Sequence, residues 1–142
     1  MNFEKSCGAV VFREAECSGE KQRYVLMIKH SHNSNHSFPK GHVESGESEI
    51  ETAQREVFEE TAVRINIVDK FRHPVYYRPR PGAKKEVVYF LALTDQVDTM
   101  PAKGETVFAD WVPVEKASGL LAHENDRRVL ARALEYLENK NA

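Results

Sequence analysis

The stretch from Ser48 to Ala62 constrains this chain more than any other. Its apolar residues Ile50, Ala53, Val57 and Phe58 recur at helical spacing, and Ser48 with Glu51 makes a capping box at the start. The pattern predicts a helix with one buried face. Glu56, Glu59 and Glu60 stand at i, i+3 and i+4, so the same helix carries three carboxylates together, on the side opposite Ile50, Ala53 and Val57. Like charges that close repel one another. The bland reading is a solvated acidic face, since charge runs usually meet water. The functional reading is a hard-cation site, because magnesium takes oxygen ligands and is often held by a few carboxylates plus substrate phosphate. On either reading the rest of the chain has to supply a surface for the apolar face.

Strands supply that surface. Residues 6–13 (SCGAVVFR) and 22–29 (QRYVLMIK) are rich in apolar and β-branched residues and are separated by a polar connection containing Gly19. The polar segment 30–37 leads into Pro39-Lys40-Gly41, read as a turn. After the helix, residues 63–70, 71–78 and 85–93 read as strands, with PRPGAK at 79–84 turning between the last two, and Trp111 to Val114 as a short one. Leu130, Ala133, Leu134 and Leu137 form an apolar stripe on a final helix from about Asn125, capped by Asn125 or Asp126. With 142 residues, no repeat and no linker, the chain is expected to be a single domain over residues 1–142.

Several function classes are disfavoured. The formal net charge is −2 and no basic stripe runs along a helix, so nucleic acid and acidic membranes are not expected partners. No apolar run is long enough to span a bilayer, and the N-terminal residues lack the pattern of an export signal. Cys7 and Cys17 are too few and too loosely spaced for a zinc site or a redox pair, and fit reduced thiols in a cytoplasmic protein. The histidines His30, His32, His36, His73 and His123 show no transition-metal spacing. Nothing in the sequence identifies a subunit interface.

The acidic helix sits in a longer pattern: Gly41, five residues, Glu47, seven residues, then Arg55-Glu56-Val57-Phe58-Glu59-Glu60-Thr61-Ala62-Val63. This resembles the catalytic box of the Nudix hydrolases, matching all of its charged positions and placing Ala62 where the family has glycine. The resemblance implies an α+β chain with the Nudix fold, an α/β/α sandwich around a central mixed β-sheet, with the box as a loop-helix-loop motif across residues 41–63. It implies that Glu56, Glu59 and Glu60 bind Mg2+, or Mn2+ as a substitute, together with the main-chain carbonyl of Gly41. Arg55 is then expected to orient a glutamate and Glu47 to brace the loop through Arg55. Glu105, six residues before Trp111, falls where related enzymes place a further acidic ligand.

Hydrolysis of a diphosphate needs a water nucleophile, in-line approach and neutralisation of charge on phosphoryl oxygens. Divalent metals serve all three needs, and a carboxylate not fully used as a ligand can take the water's proton. Glu56, Glu60 and Glu105 are the candidates for that base. The entry loop Pro39-Lys40-Gly41-His42 resembles the diadenosine polyphosphate branch of the family, with Lys40 and His42 placed to reach phosphate. That branch has a stacking tyrosine near Tyr76 or Tyr77 and a phosphate-binding lysine near Lys85. Its second tyrosine is missing here: Ala109 and Asp110 precede Trp111, and Phe108 is the nearest ring. The expected substrate is diadenosine tetraphosphate or a related dinucleoside polyphosphate, cut to ATP and AMP. Nucleoside triphosphates, nucleotide sugars, RNA 5′ ends and diphosphoinositol polyphosphates are the alternatives, the last suggested by Arg78, Arg80, Lys84 and Lys85. A catalytically silent nucleotide-binding module would be expected to have lost some of the box carboxylates.

Overall fold

A computed structural model of the protein describes residues 2–31, 34–67, 70–102, 104 and 106–140. Asn2–Cys17 (β1) and Glu20–His30 (β2) extend beyond the expected strands and pair antiparallel as a hairpin from Phe12 opposite Val25 to Cys17 opposite Glu20. Its connection is only Ser18-Gly19, with φ of 54° and 81°. Left-handed conformation at both turn residues matches the twist of the paired strands, which is why glycine is useful there. His36–Ser37 (β3) and Lys40–His42 (β4) are short strands beside β2 and β1. The Pro39-Lys40-Gly41 segment is thus partly a strand and not simply a turn. Its backbone is recruited by β1, with Cys7 opposite Gly41.

Helix α1 spans Glu49–Thr61, and the Ser48–Glu51 capping box is formed in both directions. Arg72–Tyr77 (β5), Ala83–Leu93 (β6) and Thr106–Pro113 (β7) follow, then helices Val114–Leu120 (α2) and Glu124–Lys140 (α3). The strands make one mixed sheet in the order β3-β2-β1-β6-β5, with β4 on β1 and β7 on β2. β6 runs parallel to β1 from Asn2 opposite Ala83 to Phe12 opposite Leu93.

Two cores lie on opposite faces of this sheet, so the middle strands are covered on both sides and read as nearly unbroken apolar runs. Cys7, Ala9 and Val11 of β1, with Val88, Phe90 and Ala92 of β6, face Ala53 and Val57 of α1. The intervening Val10, Phe12, Val87, Tyr89 and Leu91 pack with Val129, Leu130, Ala133 and Leu137 of α3. This is the expected α+β arrangement, a mixed sheet between helices.

Four expectations are corrected. Residues 63–67 and 70 form no strand; Val68 and Asp69 lie outside the described residues. Side chains take up the backbone hydrogen bonds there: Arg64 N donates to Gln96 Oε1 (3.1 Å) and Ile67 N to Gln54 Oε1 (3.0 Å). Val63 and Ile67 are still buried against α1, so the segment has a strand's apolar pattern without a strand's neighbour. Ile50 and Phe58 of α1 are each 39% exposed, because Thr52, Glu60 and Thr61 flank Ala53 and Val57 on the buried face. The guanidinium of Arg64 covers the Phe58 ring at 4.2 Å from its centroid. Val114 opens α2, a helix the sequence pattern does not announce. Asp126 lies inside the first turn of α3 and is buried, accepting from Tyr89 Oη at 3.4 Å instead of capping the helix.

Candidate active site

Three elements meet at the box: β4, the loop 43–48 and α1. Arg55 ties them together. Its Nε and Nη2 donate to the two oxygens of Glu47 (2.6 and 3.0 Å), Nη2 also donates to His42 O (3.0 Å), and Nη1 reaches Glu56 (2.5 Å) and Glu59 (3.1 Å). Glu47 also accepts from Thr52 Oγ1 and from Glu44 N, which closes the loop on itself. The Arg55 hydrogen bonds hold the Glu47 carboxyl down at about 2, while Glu47 and then Glu56 push the Arg55 guanidinium well above its ordinary value. The Arg55–Glu47 pair is bidentate and anchored at both ends, unlike a solitary surface pair of small worth.

Beside this clamp lies an open cleft of about 520 Å3 lined by Lys40, Gly41, His42, Glu56, Glu59 and Glu60 among others. Glu60 is only 8% exposed and accepts from Lys40 N at 2.8 Å, with His30 Nε2 at 4.0 Å from its other oxygen. Burial, and then the nearby Glu56 charge, push its carboxyl up to about 7 against the stabilising Lys40 N–H. Glu56 is also raised, chiefly by burial and against the pull of Arg55. A side chain at position 41 would collide with the Glu56 carboxylate, so glycine is what lets that carboxylate lie against the β4 backbone.

Among the described residues no three His, Cys, Asp or Glu side chains converge on a single point. Glu56 and Glu59 turn towards Arg55, and Glu60 towards Lys40 N. The donors nevertheless suit a hard cation: Glu44, Glu56, Glu59 and Glu60 border one cleft with Gly41, all offering oxygen, and burial raises both Glu56 and Glu60. Glu105 lies outside the described residues.

A second, deeper cleft of about 560 Å3 adjoins the first, and His30 and Lys40 line both. Tyr77, Val75, Val87 and Lys85 make one side of it, and Tyr89 and Asp126 also line it. Tyr76 lines neither cleft. Neighbouring strand residues face opposite ways, and its hydroxyl donates to Glu86 Oε2 (2.8 Å). His42 reaches only the first cleft, exposed and 3.8 Å from Glu4. The basic cluster proposed for inositol phosphates is divided: Arg80 is taken by Glu4 at 2.6 Å, while Lys85 lines the cleft.

Sequence reasoning missed the places of His30, Tyr89 and Asp126 in the cleft wall. No spacing signal links these positions, which the sheet and α3 bring together. His36 meets Phe108 edge-on at 5.5 Å, so the ring expected nearest Trp111 lies behind a histidine of the cleft wall.

The family profile described as NUDIX domain matches residues 5–134. The chain belongs to the Nudix hydrolase family. It is 29% identical over 139 residues to the asymmetrical bis(5′-nucleosyl)-tetraphosphatase of Mus musculus, covering 94% of this chain and 95% of that protein. It is 31% identical over 133 residues to an 8-oxo-(d)GTP phosphatase of Mycolicibacterium smegmatis, covering 90% of this chain but only 40% of that protein. Among solved structures it is similar to the C. elegans Ap4A hydrolase in a binary complex, with TM-score 0.81, 25% identity and coverage of 96% and 98%. The Nudix box of this chain therefore spans β4, the loop 43–48, α1 and the helix exit, with Ala62 at the family's glycine position in the left-handed conformation, φ 62°.

Proposed function

We propose that this Nudix hydrolase cleaves a phosphoanhydride in dinucleoside polyphosphates, taking diadenosine tetraphosphate and water to ATP and AMP in a Mg2+-dependent reaction that Mn2+ can also support. The observation that carries this reading is the adjacency of the two clefts, which share Lys40 and His30 in their walls. A cleft walled by Tyr77, Val75, Val87, Lys85 and Lys40 lies beside an acidic one rich in carboxylate oxygens, an order that suits a nucleoside joined to a phosphate chain and its cation.

Glu56, Glu59, Glu60 and the Gly41 carbonyl would hold the cation, which when bound supplies charge neutralisation at phosphoryl oxygens and a more acidic water. Arg55 keeps Glu56 and Glu59 oriented, and Glu47 keeps Arg55 in place. Tyr77 stacks on a base, as sequence-tolerant aromatic platforms do. Lys85 and Lys40 draw the phosphate chain from one cleft to the other. Glu56, Glu60 or Glu105 accepts the proton of the attacking water. His42, at the outer edge, meets the distal phosphates.

The test is turnover of a substrate panel with Mg2+, products resolved by chromatography. ATP and AMP from diadenosine tetraphosphate are expected. Faster cleavage of a nucleoside triphosphate, nucleotide sugar, capped RNA end or diphosphoinositol overturns the substrate assignment, and absence of turnover on all of them overturns the enzyme reading. Glu60→Gln is expected to lower turnover by about 100-fold. Its melting temperature in metal-free buffer should not fall, because a neutral amide suits a position only 8% exposed and can keep the bond from Lys40 N.

A further inference from the structure

Between β6 and β7 the chain runs through residues 94–102 without a helix or strand. This strap is nonetheless closely tied. Thr94 N donates to Phe12 O (3.0 Å), Trp111 Nε1 to Val97 O (3.0 Å) and Thr99 Oγ1 to Ala109 O (2.8 Å). The remaining ties go to the end of α1: Met100 N donates to Thr61 O (2.9 Å) and Ala102 N to Glu60 O (3.2 Å). Gln96 is the centre of the arrangement. Its amide oxygen accepts from Arg64 N (3.1 Å), and its amide nitrogen donates to Ala62 O (2.9 Å) and Asp98 O (2.8 Å).

The end of α1 needs donors. The last carbonyls of a helix have no partner within it, and they form the negative end of its dipole. The last turn of α1 contains no basic residue, yet it carries Glu59 and Glu60. The strap brings N–H groups to the carbonyls of residues 60 to 62, and its last residue, Ala102, lines the acidic cleft together with Thr106 at the start of β7.

We infer that Gln96 is a positioning residue of the cation site: its amide locks the strap to the exit of α1 and so sets the backbone from which Glu59 and Glu60 project. The inference rests on the reading of those glutamates as cation ligands. Magnesium demands near-ideal octahedral geometry, so a small shift of a ligand's backbone weakens binding without unfolding anything. Glutamine is suited to the place because one planar group must accept from Arg64 and donate twice. A glutamate of the same size cannot donate to the carbonyls of Ala62 and Asp98, and it would add negative charge beside them.

The experiment compares the parent protein with Gln96→Glu and Thr99→Val. Mn2+ binding to the metal-free proteins is followed by electron paramagnetic resonance, alongside melting temperature and steady-state hydrolysis of diadenosine tetraphosphate. Thr99→Val removes the tie to Ala109 O and leaves every tie to α1 in place. Gln96→Glu is expected to raise the Mn2+ Kd about 10-fold or more and to lower kcat with KM changed less than about twofold. Thr99→Val is expected to lower the melting temperature with an unchanged Mn2+ Kd. If Gln96→Glu does not fold, Gln96→Met, of similar length, without a donor and with only a weak acceptor, carries the same test. An unchanged Mn2+ Kd at position 96, or an equal loss in Thr99→Val, overturns the inference alone. A parent protein that binds no Mn2+ overturns the cation-site reading and this inference with it.

Discussion

Ala62 ends α1 with φ at 62°, where a methyl group crowds the following carbonyl. Its N–H donates to Phe58 O at 2.8 Å and its carbonyl accepts from Gln96, so the cap is made despite the side chain. The cost falls on conformation and not on hydrogen bonding. Ala62→Gly should therefore raise stability by about 1 kcal/mol, net of the extra freedom glycine gives the unfolded chain, and raise the melting temperature by roughly 3 °C. Differential scanning calorimetry checks this, and a lower melting temperature would contradict it. Turnover should stay within about twofold, because the backbone bonds to the strap are unchanged. Gly41 shows the opposite sensitivity, since any side chain there meets the Glu56 carboxylate.

Within β5, alternation decides which tyrosine serves the cleft. Tyr77 lines it, whereas Tyr76 lies with Glu86. Tyr77→Ala is expected to raise KM for diadenosine tetraphosphate about 10-fold, the worth of one base–aromatic stack, while Tyr76→Ala leaves KM within about twofold. Initial-rate kinetics on both variants separate the two faces, and equal effects would refute the assignment. The sequence could not choose between adjacent rings because nothing local says which face of β5 lies over the cleft. The same limit explains residues 63–67, whose apolar pattern suits a strand but whose backbone is satisfied by Gln54 and Gln96 from elsewhere in the fold. It also explains Asp126: its place near the helix start suggested a cap, and packing against Tyr89 put it in the cleft wall.

Across the whole molecule, a charged network holds α1 to the sheet. Glu49 at the helix start accepts from Arg72 of β5 through both oxygens (2.9 and 2.8 Å) and pairs with Lys5 of β1 at 2.6 Å, and Lys5 also lies 3.7 Å from Glu86 of β6. Arg72, and then Lys5, hold the Glu49 carboxyl down at about 2. A carboxyl depressed in the folded state stabilises the fold above its unfolded value, near 4.5, and that contribution is lost as pH falls towards 2. With Arg72 44% exposed, solvent screening discounts the contribution to about 1 kcal/mol. Glu49→Gln should accordingly be less stable than the parent at pH 6, with the gap closing between pH 4.5 and 2. Urea unfolding across that range measures the gap, and one that persists at pH 2 would rule the network out as its source.

The sequence by itself determined the helix, its cap and the reaction class, because these depend on residues within one turn or one motif of each other. Capping, helical periodicity and the run of Glu47, Arg55, Glu56, Glu59 and Glu60 are short-range properties, and each is legible in the chain. It also implied a sheet between helices, since apolar runs such as those of β1 and β6 make sense only when both faces are covered. Only the tertiary structure decided how buried each carboxylate is, which tyrosine faces the cleft, and that Lys40 and His30 line two adjoining clefts. Those properties come from elements far apart in sequence, and the strap that Gln96 holds against α1 is one of them: its partners at the helix exit, Ala62 and Arg64, are 34 and 32 positions away.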